Sequence, residues 1–447
     1  MVSQYMDKTK LETWGNVSVS ESYLREPETI HDLRNIIESV GERGCIPRGL
    51  GMSYGDQPMN SNGDVIRPSF SGKIIEYISM SGLVTVSSSA TFAELLEQVV
   101  PLGWYMPVVP GTSSVTIGGA IAADIHGKNH YRQSSIADHI ESMTLMLADG
   151  ETIRCSKSQE SSIFWATMGG LGLTGIIIEA TIQLIPIRSS KVLVDRRSFS
   201  NFPDLFEAMK SQTTSAEYSV AWLDLASKNN SGRGILETAN HADSEPDSQS
   251  SYETKPVLSL PSFFPDLLLR QSTVNAYNSL RFSSAGRGQN NKKIELSTFM
   301  HPLDKVRNWN RLYGKTGIIQ WQMAVPEISE HTLFDVIDAI NNANAPAFLA
   351  VLKKLGVSNQ APLSFPILGW TLAVDFPAKH EGIYEFLDDL DQKLLKAGGR
   401  VYLAKDARLN PELIPKMYPG VHEWRAIRRN VDPDRRWQSD FSRRLEL

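Results

Sequence analysis

Two cysteines in 447 residues, Cys45 and Cys155, are too few for a disulfide framework and form no CxxC pair, so two reduced thiols are expected. Long apolar runs are missing as well. The most apolar stretch, residues 171–187, is interrupted by Glu179 and Gln183 and reads as core rather than as a membrane span. The first residues, MVSQYMDKTKLETWGN, show no apolar leader segment and no twin arginine. The expectation is a protein made and kept in the cytoplasm, with peripheral membrane contact as an open option. An excess of one charge is also absent. With 45 Lys+Arg against 50 Asp+Glu the formal charge is −5, which gives no general basis for binding nucleic acid. What is present is ordinary globular material, 41% hydrophobic and 21% charged, which excludes a disordered or fibrous chain. The length suggests two or three structural units with a sizeable core.

Local patterns point to mixed helix and strand without an internal repeat. Residues Leu83–Ser88 alternate as a strand does, and Thr91 then caps a helix to Val100. Residues Ile176–Ile187 alternate again, Leu333–Ile340 has a helical apolar face, and a helix over Gly382–Ala397 should end at Gly398–Gly399. Residues 229–293, rich in Ser, Asn, Gly and Asp, read as long loops. The apolar stretch VLSLPSFFPDLLL at 257–269 lies inside them. It fits either a loop packed on the core or a lid that touches lipid or a greasy substrate. The last 23 residues hold seven arginines between Arg425 and Arg444, interleaved with Asp432, Asp434 and Asp440. This pattern suggests a solvated, self-paired helical face, with a surface for anionic lipid headgroups as the alternative.

Three glycine-rich blocks carry the chemistry. The first, Arg48-Gly49-Leu50-Gly51-Met52-Ser53-Tyr54-Gly55-Asp56, can aim successive backbone N–H groups at a phosphate. It is neither a Walker A loop nor a GxGxxG fingerprint. The second runs from Gly111 through Thr116, Ile117, Gly118, Gly119, Ala123, Asp124 and Ile125 to His126 and Lys128. Its small residues let another group approach the backbone closely. The third, FWATMGGLGLTGII, spans 164–177 and ends at Ile177.

Three such blocks in this order resemble the vanillyl-alcohol-oxidase family of FAD-linked oxidoreductases. The resemblance implies that the first two loops cradle the FAD pyrophosphate and that the third closes the flavin domain. Sugar-lactone oxidases of the family carry a flavin-linking histidine where this chain has Met52, so FAD is expected to be held non-covalently. The implied fold is α+β, a two-domain PCMH-type FAD-binding fold with an inserted antiparallel-sheet substrate domain. Its expected parts are an FAD domain at 1–189, a substrate domain at 190–399 and a C-terminal segment at 400–447 that completes the FAD domain.

A narrower likeness extends through nearly the whole chain. The strings ADIHGKNHY (123–131), NQAPLSFPILGW (359–370), GGRVYLAKDAR (398–408) and the terminal RRLEL are similar to the decaprenylphosphoryl-β-D-ribose 2′-oxidase family, the oxidising half of a 2′-epimerase. That likeness implies oxidation of the 2′-hydroxyl of a polyprenylphosphoryl ribose and a separate NAD(P)H-dependent keto-reductase as partner. It places Lys405, His126 and Tyr54 in catalysis and Tyr402 against the flavin. Lys128, Gln320, Gln322 and Lys353 fall in the substrate pocket, the two lysines suited to a phosphate. Lys405 would act as a base or as a cation beside reduced flavin, and the alternation of IIQWQMA puts Gln320 and Gln322 on one strand face. Two departures stand out. Ala373 replaces a cysteine that mycobacterial members present to nitroaromatic inhibitors, and Thr371 replaces an asparagine. The competing readings are a sugar-1,4-lactone or alditol oxidase and a catalytically silent scaffold.

Overall fold

The computed structural model describes residues 7–447 apart from 71, 79, 214, 227–231, 244–250, 255, 262–270, 286–288 and 344–345. A four-stranded sheet opens the chain, in the order Thr9–Glu12, Val19–Arg25, Asp64–Ile66, Cys45–Pro47, its last two pairings parallel. A five-stranded antiparallel sheet follows, in the order Ile74–Ile78, Leu83–Ser87, Ile176–Gln183, Ile140–Met146, Thr152–Ser156. Phe92–Val99 is the expected helix. Thr91 and Glu94 bond each other's backbone N–H at its start as a capping box, and its apolar face is fully buried.

The largest sheet has eight antiparallel strands drawn from Lys191–Phe199 through Arg400–Val401. The three central to the site are Ile318–Pro326, Ala350–Leu355 and Gly369–Pro377. Side chains alternate across such strands, and here the two faces divide cleanly. Trp321, Met323, Leu352, Trp370, Leu372 and Val374 enter the main core, against the helices Phe202–Thr213, Thr332–Asn342 and Ile383–Lys396. Burying each side chain of this size contributes about 1.5–3 kcal/mol. Gln320, Gln322, Lys353, Thr371, Ala373 and Asp375 occupy the opposite face. The architecture is α+β. Both cysteines are free and buried.

Two expectations are corrected. Residues 229–293 are not simply loops. They contain the strand Arg233–His241, the helix Gln271–Ala285 and most of the strand Gln289–Glu295; the strands belong to the large sheet, with Gln289–Glu295 at its edge, and the helix packs on it. Polar composition hid the strands, since residues such as Glu237, Thr238 and Asn240 pair through their backbones regardless of side chain. Of the apolar stretch 257–269, residues 262–270 lie outside the described ones. Its start, Leu258–Ser259, pairs with Val306–Arg307, leaving Val257 exposed and Leu260 buried.

The C-terminal arginines are self-paired only in part, Arg428 with Asp432 at 4.0 Å and Arg443 with Asp440 at 3.1 Å, and they do not form one solvated face. Arg428 donates to the carbonyls of Trp437 and Leu447, Arg443 to Asn60, and Arg444 to Asp56 and Asp406. Backbone bonds from Cys45 N to Arg436 O and from Gln438 N to Cys45 O tie the segment to the first sheet. Arg428, Arg443 and Arg444 turn inward because buried carboxylates and carbonyls there require donors, whereas Arg429 and Arg435 are exposed.

Candidate active site

The first glycine loop leaves the strand Cys45–Pro47 and runs against the start of the short helix Ile117–Ala122, which Thr116 caps. The contact is tight. A Cβ added at Gly49 would lie 2.4 Å from Thr116 Oγ1, and one at Gly118 would lie 2.9 Å from Ser88 Cβ. The backbone N–H groups of residues 49–54 find no acceptor among the described residues, so Gly49, Leu50, Gly51, Met52, Ser53 and Tyr54 present a run of free donors. Gly111 has open space where a Cβ would be. The third block packs beneath the second, with Gly169 N donating to Ile121 O and Leu171 N to Ala122 O.

At its far end the first loop meets the Lys405 turn. Gly55 lies so close that a Cβ there would be 1.9 Å from Asp406 O. Gln57 Nε2 donates to both Leu403 O and Asp406 O at 2.6 Å. This packing sets Lys405 Nζ 3.9 Å from the centre of the Tyr54 ring. Burial brings the Lys405 ammonium down to about 7; Asp375 opposes that shift and Lys353 adds to it. Tyr54 is held protonated, first by burial and then by Asp375.

The strand face supplies the remaining polar groups. Gln320 Nε2 donates to Asp375 Oδ1 at 2.6 Å and to Tyr54 Oη at 3.2 Å. Gln322 Nε2 lies 2.9 Å from His126 Nε2 and 3.1 Å from Thr371 Oγ1. An amide nitrogen only donates, so His126 accepts at Nε2 and carries its proton on Nδ1. That Nδ1 is buried and has no partner among the described residues. Burial, Lys353, His130 and Lys405 keep the imidazole neutral. Its ring packs against the stacked pair Phe365 and Tyr402, and the Tyr402 hydroxyl donates to Ala123 O at 2.6 Å.

Lys353 shares this face, and burial lowers its ammonium to about 8. Its neighbour Lys354 points to the other side and pairs with Glu327. Lys128 is likewise lowered to about 8, by burial and, against the pull of Glu237, by Lys353. Its ammonium bonds the carbonyls of Phe299 and Met300. Lys128, Lys353 and Lys405 thus place three cations around one dry region, an arrangement that favours an anionic ligand.

Residues 22–156 match the FAD binding domain family. The chain is 38% identical to decaprenylphosphoryl-β-D-ribose oxidase of Mycolicibacterium smegmatis over 98% of its own length and 97% of that protein. It belongs to the decaprenylphosphoryl-β-D-ribose oxidase family. An uncharacterised protein of Streptomyces coelicolor is 34% identical over 80% of the chain and its own full length. L-Gulonolactone oxidase of Scyliorhinus torazame is 28% identical over only 40% of each chain.

As a member of this oxidase family the chain is an FAD-dependent oxidoreductase, and the loops fit that cofactor. A pyrophosphate requires close backbone approach and several N–H donors, which the glycines and the free amides of 49–54 provide. Several side chains expected at the cofactor do other work. Arg48 donates to the carbonyls of Glu12 and Pro58, and Asp56 receives Arg444. Asp124 accepts from Asn359 and Ser364, and Ile177 sits in the core. Of these side chains, the Arg48 guanidinium lies directly against the first loop, where a Cβ at Gly51 would meet it. Sequence reasoning missed Gln57 and Asp375. Asp375 was findable, because Thr371, Ala373 and Asp375 alternate onto one face. Gln57 was not, since its partners are carbonyls about 350 residues away.

Proposed function

We propose that this chain oxidises the 2′-hydroxyl of a polyprenylphosphoryl-β-D-ribose to the 2′-keto sugar, the first half of a 2′-epimerisation to the arabinose. The observation that carries this reading is the extent of the likeness to the mycobacterial oxidase. It takes in the Lys405 turn and the polar strand face, whereas the gulonolactone oxidase likeness covers two fifths of the chain.

Bound FAD supplies the acceptor for the hydride that leaves C2′. The free amides of residues 49–54 would hold its pyrophosphate, and Tyr402 would border its ring. Met52 cannot form the link that a histidine makes there, so the cofactor is held non-covalently. Lys405, with its ammonium near 7, is partly neutral at physiological pH and takes the 2′-hydroxyl proton at Nζ. Tyr54 Oη and His126 Nδ1 orient the sugar oxygens, both as donors. Lys353, helped by Lys128, holds the substrate phosphate. Residues 1–189 with 400–447 form the flavin part and 190–399 the substrate part.

A separate NAD(P)H-dependent reductase completes the epimerisation, because the keto sugar must regain a hydride. No helix among the described residues is long and apolar enough to cross a membrane. The polyprenyl substrate places the protein at the inner face of the cytoplasmic membrane as a peripheral component.

Anaerobic mixing of the yellow holoprotein with a short-chain prenylphosphoryl ribose tests the reading through the oxidised-flavin absorbance. Bleaching by the glycolipid, and none by aldonolactones or alditols, is the expected result. Bleaching only by a soluble lactone or polyol overturns it.

A further inference from the structure

The Gly369–Pro377 strand carries a carboxylate that the reaction itself does not require. Asp375 is fully buried and lies directly across from Gln320 in the antiparallel pairing. Both of its oxygens are filled by donors, Oδ1 by Gln320 Nε2 at 2.6 Å and Oδ2 by the Tyr313 hydroxyl at 3.0 Å. A carboxylate used as acceptor on both oxygens is the ionised form. Facing it, the Gln320 amide has one stable orientation, with its nitrogen toward Asp375, because the reverse would set oxygen against oxygen. The second hydrogen on that nitrogen is directed at Tyr54 Oη, 3.2 Å away.

This settles what Tyr54 can do. Its oxygen accepts from Gln320 and from the Trp14 indole N–H, and its own proton meets no acceptor among the described residues. The ring beneath Lys405 Nζ keeps the phenol beside the reacting region. We propose that Asp375 is a positioning residue for the oxidation: by locking the Gln320 amide it holds Tyr54 as a hydrogen-bond donor toward the sugar oxygen that reacts. The inference rests on the sugar-oxidase reading above and extends it by one residue. Without the carboxylate, the Gln320 amide is free to turn its carbonyl toward Tyr54. The phenol proton then goes to Gln320 instead of to substrate.

The test is a double-mutant cycle of Asp375→Asn and Tyr54→Phe on the holoprotein, reading the rate of flavin bleaching at saturating prenylphosphoryl ribose. Loss of one hydrogen bond made in the transition state predicts that each single variant slows bleaching by about 10- to 100-fold. Read at about pH 9, where Lys405 is neutral in every variant and the Asp375 charge no longer alters its protonation, Asp375→Asn should change the rate of the Tyr54→Phe protein by about threefold or less, because Asp375 then acts through Tyr54. Losses that multiply would overturn the proposal, since a general structural defect is independent of Tyr54. Should Asp375→Asn fail to fold, Gln320→Leu, at a half-exposed position, removes the same link and must show the same non-additivity.

A second readout needs no turnover. With the 13 tyrosines labelled at Cζ, the Tyr54 resonance is assigned by its loss in Tyr54→Phe. It should move in Asp375→Asn and Gln320→Leu, and an unmoved resonance refutes the positioning role. If the glycolipid does not bleach the wild-type flavin, the functional reading fails, while this resonance still decides the role of Asp375.

Discussion

Arg444, three residues from the C-terminal end of the sequence, is expected to control both stability and flavin reduction while touching neither substrate nor cofactor. Its guanidinium grips Asp56 at 2.7 and 3.0 Å and Asp406 at 2.9 Å. The Asp56 and Asp406 side chains are 13% and 2% exposed, and that of Arg444 is 25% exposed. Burial alone would weaken the guanidinium's hold on its proton, but Asp406 and Asp56 more than reverse that effect. Arg444→Ala leaves two nearly dry carboxylates without a cation. Removing one partner of a buried pair costs about 3–5 kcal/mol, and the residual exposure lowers the expectation to about 2–4 kcal/mol. A chain of this length converts each kcal/mol into about 1–2 °C, so Tm should fall by about 2–8 °C. Thermal release of fluorescent flavin reads it directly. Arg444→Lys keeps the charge but not the fork and should fall between. The clamped Asp406 belongs to the Lys405 turn, so the rate of flavin bleaching should also drop. Asp56→Asn in the Arg444→Ala background should recover part of the stability, because one stranded charge is gone. An Arg444→Ala protein that melts within about 1 °C of wild type and bleaches at the wild-type rate would refute the reasoning.

Three further outcomes are expected. The bleaching rate should rise with pH through about 7, as Lys405 loses its proton amid Tyr54, Asp375, Lys353 and His126; Lys405→Ala should abolish the rise along with the activity, and a flat wild-type profile would exclude Lys405 as the base. Ala373, on the site face of its strand, offers no thiol, so an activated nitrosoarene should leave the intact mass unchanged while A373C gains one adduct; a stoichiometric adduct on the wild type would sink the claim. Gly55→Ala puts a methyl 1.9 Å from Asp406 O, a backbone atom that can yield only by shifting the Lys405 turn. It should lose at least about 2 kcal/mol of stability and most of the bleaching rate, checked by Tm and stopped flow.

The glycine blocks were legible because backbone approach to a phosphate needs small residues in sequence order, and local spacing records that need. Gln320 and Gln322 were legible because strand alternation is local as well. The polar segment 229–293 misled, since its strands pair through backbone groups that composition does not report. The C-terminal arginines misled for a related reason. Their partners Asp56, Asn60 and Asp406 lie 38 to 388 residues away, and only the fold brings them together. Charge runs show where ions are but not which way they face.

The site itself follows one rule that the sequence states only in part. Two glutamines two residues apart each spend one amide hydrogen on an anchor, Asp375 or Thr371, and the other on a working group, Tyr54 or His126. Each working group is thereby made an acceptor toward the strand and a donor away from it. A neutral phenol and a neutral imidazole that both donate would suit the sugar hydroxyl of the proposed reaction, whose proton Lys405 would take. The anchors differ in kind. Asp375 can only accept and so fixes Gln320 in one orientation, whereas the Thr371 hydroxyl, which accepts from Gln322 here, can also donate and is the less restrictive anchor. The Tyr54 side of the site is therefore the rigid one, and the His126 side is where a different sugar could be accommodated.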